Sequence, residues 1–109
     1  MIGMTGTAQA LLVELRSALE GLYRERLHGL YLYGSYARGD QRGESDFDVL
    51  IVLDRILSYG EEIDRTSSVI SSISLRYGIS VSRVFASEEA WRDGRSGFLS
   101  QVRQEAIAA

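Results

Sequence analysis

The chain has 109 residues, 45% of them hydrophobic and 25% charged, a composition that suits one compact domain and excludes wholesale disorder. Twelve basic residues against 15 acidic ones leave a net charge of −3, which argues against a dedicated nucleic-acid binder. With no Cys and a single His, disulfides, thiolate metal sites and polyhistidine metal sites are excluded as well.

No apolar run approaches the roughly 20 residues that a membrane helix needs. The opening segment lacks a basic leader and is interrupted by Glu14 and Arg16, so it does not read as a signal peptide, and a soluble, cytoplasmic chain is expected. Leu12, Leu15, Leu19 and Leu22 recur at spacings of three and four, which predicts an amphipathic helix over about 7–26 with Thr7 as its N-cap. Leu30-Tyr31-Leu32-Tyr33 reads as a strand that ends at Gly34. A polar, Gly-rich stretch over 34–44 separates it from a second strand over 46–53. A second amphipathic helix is expected over 58–77, with Ile63, Ile70, Ile73 and Tyr77 on one face and Gly78 placed to end it. The third strand is expected at 79–85. Ser87-Glu88-Glu89 then opens a turn or short helix through Trp91, and after a loop over 93–97 a last helix runs from Phe98 towards Ile107. No repeat, low-complexity tract or linker interrupts this alternation. The expectation is one α/β domain over 1–109, a small mixed sheet of three core strands flanked by helices.

The residues that carry chemistry lie between the first two strands. In Asp46-Phe47-Asp48 the carboxylates are two residues apart, and on a strand that spacing projects both to one face. Phe47, Val49, Ile51 and Leu53 then share the opposite face, which should pack on helices. Two unscreened carboxylates side by side repel each other, and a divalent cation removes that penalty. Hard oxygen ligands of this kind suit Mg²⁺, which takes one or two carboxylates and completes its shell with water and phosphate oxygens. Gly34-Ser35 stands at the end of the preceding strand, where glycine permits close backbone approach and the N–H groups with the Ser35 hydroxyl can cradle a phosphate. Alone, a D-x-D at a strand edge is ordinarily a solvated pair, and a Gly-Ser after a strand is ordinarily a turn. Together on adjacent strands they make a far more specific combination.

The segment Gly34-Ser35-Tyr36-Ala37-Arg38-Gly39 through Ser45-Asp46-Phe47-Asp48-Val49-Leu50-Ile51 resembles the signature of the polymerase-β-like nucleotidyltransferase superfamily. It is most similar to the minimal nucleotidyltransferases, in the form seen in the antitoxin half of HEPN–MNT toxin–antitoxin pairs. The order of helices and strands fits this family over nearly the whole chain. The resemblance implies that Gly34 and Ser35 hold the β- and γ-phosphates of ATP and that Asp46 and Asp48 hold magnesium. Arg38 follows the cradle closely enough to contact phosphate, or equally to brace the loop through Asp40 or Glu44. Enzymes of this family transfer a nucleoside monophosphate to a hydroxyl and release pyrophosphate. The implied partner is a HEPN-type toxin that supplies the hydroxyl.

One departure stands out. Many family members carry a third carboxylate on the third strand, where this chain has Ser80 and Ser82. Either Glu62, Asp64, Glu88 or Glu89 supplies the acid, or a partner does, or transfer is slow or lost. Two readings therefore stand: an enzyme that adenylylates a protein, and a regulatory subunit that binds nucleotide and acts by occupying its partner. Transfer to a small molecule such as an aminoglycoside fits less well, because such enzymes generally carry a further domain for the acceptor. Tyr23, Tyr31, Tyr33 and Tyr77 read as core or subunit contacts, which leaves a homo-oligomer open, whereas Tyr36 lies inside the cradle. Arg24 and His28 do not form the R-x(4–6)-H ribonuclease motif of HEPN toxins, since only three residues separate them. Trp91 reads as an anchor for the segment after the third strand.

Overall fold

The computed structural model describes residues 5–109. Helix α1 spans Gly6–Tyr23, and its N-cap lies two residues earlier than expected, at Thr5 and not Thr7. The Thr5 hydroxyl accepts a hydrogen bond from the Ala8 N–H at 3.1 Å, satisfying one of the donors that a helix start leaves free. Its other end also differs: α1 stops at Tyr23, Arg24 takes a positive φ of 53°, and Arg24–Arg26 form a 3₁₀ turn. That turn feeds strand β1, Leu27–Tyr33, which is longer than the expected four residues. A four-residue helix α2, Ser35–Arg38, lies inside the stretch expected as a polar turn; a single turn of helix is too short to show periodicity. Strand β2 is Phe47–Leu53, and helix α3, Tyr59–Tyr77, is capped by the Ser58 hydroxyl and ends on Gly78 in the left-handed conformation.

Strand β3, Val81–Ser87, begins two residues later than expected. The cause is the close of α3: the Ile79 N–H bonds to the Ser74 carbonyl and the Val81 N–H to the Ser74 hydroxyl, so Ile79 finishes the turn and contact with β2 begins at the Ser80 carbonyl, which accepts from the Phe47 N–H at 2.8 Å. Ser87 then caps helix α4, Glu88–Asp93, and helix α5, Gly97–Glu105, follows. A two-residue strand β4, Ile107–Ala108, closes the described chain.

The sheet is mixed, with four strands in the order β3-β2-β1-β4. Strand β2 runs parallel to β3 and antiparallel to β1, and β4 runs antiparallel to β1, pairing Ile107 with Leu32 and Ala108 with Tyr31. The fourth strand was absent from the sequence reading because two residues carry no alternation.

Strand β2 is buried on both faces. Phe47, Val49, Ile51 and Leu53 pack with Leu11, Leu15 and Leu19 of α1 and Ile70 and Ile73 of α3. Leu50 and Val52, on the opposite face, pack with Ala86 and Val102 and against Tyr31, Trp91 and Leu99. Trp91 anchors α4, its ring centroid 4.7 Å from that of Tyr31 with the planes tilted by 34°, and the Arg103 guanidinium covers it.

Glu62 of α3 is 4% exposed and ties that helix to the end of α1. It accepts hydrogen bonds from the Tyr23 hydroxyl at 2.7 Å, Arg26 at 3.1 Å and Arg65 at 3.1 Å. Burial alone raises its carboxyl, but the three donors together reverse this and hold it below the usual carboxylate range. A depressed folded value means stability that is complete above the unfolded carboxyl value and lost as pH falls through the folded one. Glu62→Gln should therefore lower the unfolding free energy by about 1–3 kcal/mol at neutral pH. Urea denaturation should show that deficit shrinking once the pH drops below about 4, where the wild-type carboxylate begins to protonate in the unfolded chain.

Candidate functional site

Antiparallel pairing sets Tyr33, the last residue of β1, opposite Asp48 near the start of β2, and parallel pairing sets Asp48 beside Ser82. The chain leaves β1 through Gly34 with φ +78° and ψ −157°, a combination essentially reserved for glycine. A Cβ built at Gly34 would run into the Oδ2 atom of Asp48, so the missing side chain is what lets that carboxylate lie against the backbone. Helix α2 turns the chain back at once. Tyr36 is buried with its ring 5.1 Å from Phe47, so it belongs to the core and does not face the cradle.

The result is an open cleft of about 380 Å³, within the range of small-molecule sites. Gly34, Ser35, Arg38, Asp46 and Asp48 all line it, together with Phe98, Gln101 and Glu105 from α5. Asp46 sits one residue before β2 and is exposed, while Asp48 is half-buried. Burial raises the Asp48 carboxyl, the neighbouring Asp46 charge raises it further, and Arg38 opposes them. The Tyr33 hydroxyl is pushed up to about 12, first by burial and then by the Asp48 charge.

None of the four acids considered for a third ligand reaches the cleft. Glu62 is locked in its network, Asp64 and Glu89 are exposed on α3 and α4, and Glu88 pairs with His28 at 3.3 Å. The residue that does reach it is Glu105, which the sequence reading missed. It accepts from the Gly34 N–H at 3.3 Å and from Arg38 at 2.9 Å. No spacing rule links position 105 to position 34; only the pairing of β4 with β1 brings α5 over the cradle. Arg38 also donates to Asp40 at 3.2 Å, so it braces its own loop through Asp40, with no such bond to Glu44.

Among the described residues no group of three or more His, Asp or Glu is placed to hold a metal ion jointly. The Asp46–Asp48 pair nevertheless fits magnesium: two hard carboxylates, open to solvent on one side, whose mutual repulsion a divalent cation would relieve.

Residues 12–92 match the family described as the nucleotidyltransferase domain, a span that takes in the whole cradle and the carboxylate pair. The chain belongs to this family. Two Methanocaldococcus jannaschii proteins share that kinship, each named "Putative protein adenylyltransferase": MJ0604 is 38% identical over 70% of this chain and 70% of its own length, and MJ0141 is 32% identical over 68% and 74%. Crystal structures show the same fold. A toxin–antitoxin with AMP-PNP superimposes with a TM-score of 0.64, at 18% identity over 92% of this chain and 70% of that one. A mutant of the toxin–antitoxin MntA-HpeT gives 0.61, at 18% identity over 93% and 70%. The fold of this nucleotidyltransferase domain thus persists where few residues are shared.

Gly34→Ala would force a β-carbon into a backbone region that L-residues avoid and against the Asp48 carboxylate. A loss of about 1–3 kcal/mol is expected by urea denaturation. Gly43, with nothing near its would-be Cβ, is the control, and Gly43→Ala should stay within about 0.5 kcal/mol of wild type.

Proposed function

We propose that this nucleotidyltransferase-domain protein binds Mg-ATP in the cleft and transfers AMP to a hydroxyl on a protein acceptor, a HEPN-type toxin. The observation that carries the reading is the convergence of Gly34, Ser35 and Arg38 with Asp46 and Asp48 in one cleft. The Gly34 N–H, the Ser35 hydroxyl and the Arg38 guanidinium would hold phosphate oxygens, since all three are donors that suit an anion. Asp46 and Asp48 would hold magnesium, which when bound offsets phosphate charge and favours the ionised form of an incoming hydroxyl.

In the transfer, the acceptor oxygen bonds to the α-phosphorus of ATP and the bond from that phosphorus to the bridging oxygen breaks, releasing pyrophosphate. The hydroxyl proton leaves to solvent, which reaches the exposed Asp46. Little covalent work falls to the protein; its side chains position the phosphates and balance charge. The relatives named as adenylyltransferases support a protein acceptor, and the toxin–antitoxin neighbours, one with an ATP analogue, support both a partner and the nucleotide.

A second reading is kept because Ser82 stands beside Asp48 where the resemblance expects an acid. In that reading the chain binds nucleotide but transfers it poorly, and regulates its partner by occupancy.

Asp48→Asn should keep its fold yet lose Mg-ATP affinity by tenfold or more, on the order expected for removing a charge from a metal-bound phosphate site. Calorimetry checks the affinity. Incubating the chain and its partner with Mg-ATP, followed by intact-mass spectrometry, checks the transfer. A partner heavier by one AMP, unmodified with Asp48→Asn, is the expected result. If no adduct forms and the Asp48→Asn chain still neutralises the partner, the regulatory reading holds instead.

A further inference from the structure

Glu105 makes its two hydrogen bonds to two of the groups assigned above to phosphate. Its Oε1 accepts from the backbone N–H of Gly34 at 3.3 Å, and its Oε2 from Arg38 at 2.9 Å. An anion held by a backbone N–H on one side and a guanidinium on the other is bound as a phosphate would be. We propose that Glu105 is a built-in competitor for the phosphate cradle, so that nucleotide enters only by displacing this carboxylate. The inference rests on the nucleotide reading of the cleft.

The placement of Glu105 is built into the fold. Helix α5 is capped at its start by Ser96, and its Val102 is 1% exposed against the sheet. Just past Glu105 the chain pairs with β1, and the Ala109 N–H bonds to the Leu30 carbonyl at 2.9 Å. The backbone at 105 is therefore held between a packed helix and a strand, and the side chain, 18% exposed, has the cradle directly before it. The position is also unfavourable for an acid in one respect, since it adds to the negative charge around Asp48. A carboxylate stays there because Gly34 and Arg38 compensate.

Arg38 keeps Asp40 as a partner when Glu105 leaves, so no guanidinium is stranded. Glu105 is also not a stand-in for the missing strand acid: it bonds to the donors of the cradle, and with Asp46 and Asp48 it forms no three-acid group placed to hold a metal.

The test is calorimetric titration of wild-type, Glu105→Gln and Glu105→Ala chains with ATP, with and without magnesium, after circular dichroism has shown each to be folded. Glu105→Gln keeps the size and an acceptor oxygen while removing the charge, so it preserves the fold even where Glu105→Ala does not. A competitor predicts that both variants bind about 3- to 10-fold more tightly than wild type in either condition, the range for losing one charge-assisted, partly exposed contact. Unchanged affinity overturns the proposal. Weaker binding confined to the magnesium titration also overturns it, and makes Glu105 a metal ligand. Absence of ATP binding by all three chains overturns the nucleotide reading itself, and the competitor with it.

Discussion

Slide β1 by one residue along β2 and every one of its side chains changes face, because strand side chains alternate with a period of two. The pairing of Tyr33 with Asp48 is thus the constraint on which the site hangs. It brings the end of one strand to the start of the next, so that Gly34 meets the Asp48 carboxylate and the chain can turn into α2 beside it. The register is held from below. Leu30 and Leu32 of β1 are buried in one cluster with Phe47, Val49 and Ile51 of β2 and with α1 and α3, and a slip of β1 would take both leucines out of it. Hydrophobic burial at about 25 cal/mol per Å² makes that slip prohibitive. The core therefore positions polar groups that contribute little to stability themselves.

Burial on both faces of β2 adds a second consequence. The strand's core face was legible from alternation, and the covering of its other face by α4 and α5 was not. Leu50 and Val52 gave the hint, since a strand with one wet face would place polar residues there. The carboxylates come only where that covering ends, at the start of β2. Asp48 is accordingly half-buried instead of solvated, which is why burial heads the causes of its raised carboxyl. A carboxylate in that setting is poised for a cation in a way that a fully hydrated one is not.

The strands that carry the site, the two long helices and the family are legible in the residues, because those rest on strong local signals: leucines at helical spacing, a glycine after a strand, acids two apart. What is not legible there is either locally ambiguous or set by tertiary structure. The Thr5 cap lies two residues from the chosen Thr7, and both are equally good capping residues. Helix α2 and strand β4 are shorter than any period. Glu105 is invisible for a tertiary reason, being an ordinary residue in the last turn of a helix until β4 folds that turn over Gly34. Glu62 is a candidate for the cleft by sequence alone, whereas in the fold Tyr23, Arg26 and Arg65 already claim its oxygens.

The two acids that sequence spacing could not place, one expected on β3 and one found on α5, bear on the same electrostatic balance. Where the resemblance expects a carboxylate beside Asp48, the chain has Ser82, so the strand edge holds one negative charge fewer. Glu105 returns a negative charge to the cleft, but against the Gly34 N–H and the Arg38 guanidinium instead of on β3 beside Asp48. The sum is similar and its distribution is not. A third carboxylate on β3 would add to the affinity for a cation, whereas a carboxylate on Gly34 and Arg38 subtracts from the affinity for an anion. In this chain the Gly34 N–H and the Arg38 guanidinium are both satisfied by Glu105. Under the proposed competition, an anion takes those donors only where its charge on them outweighs that of one carboxylate.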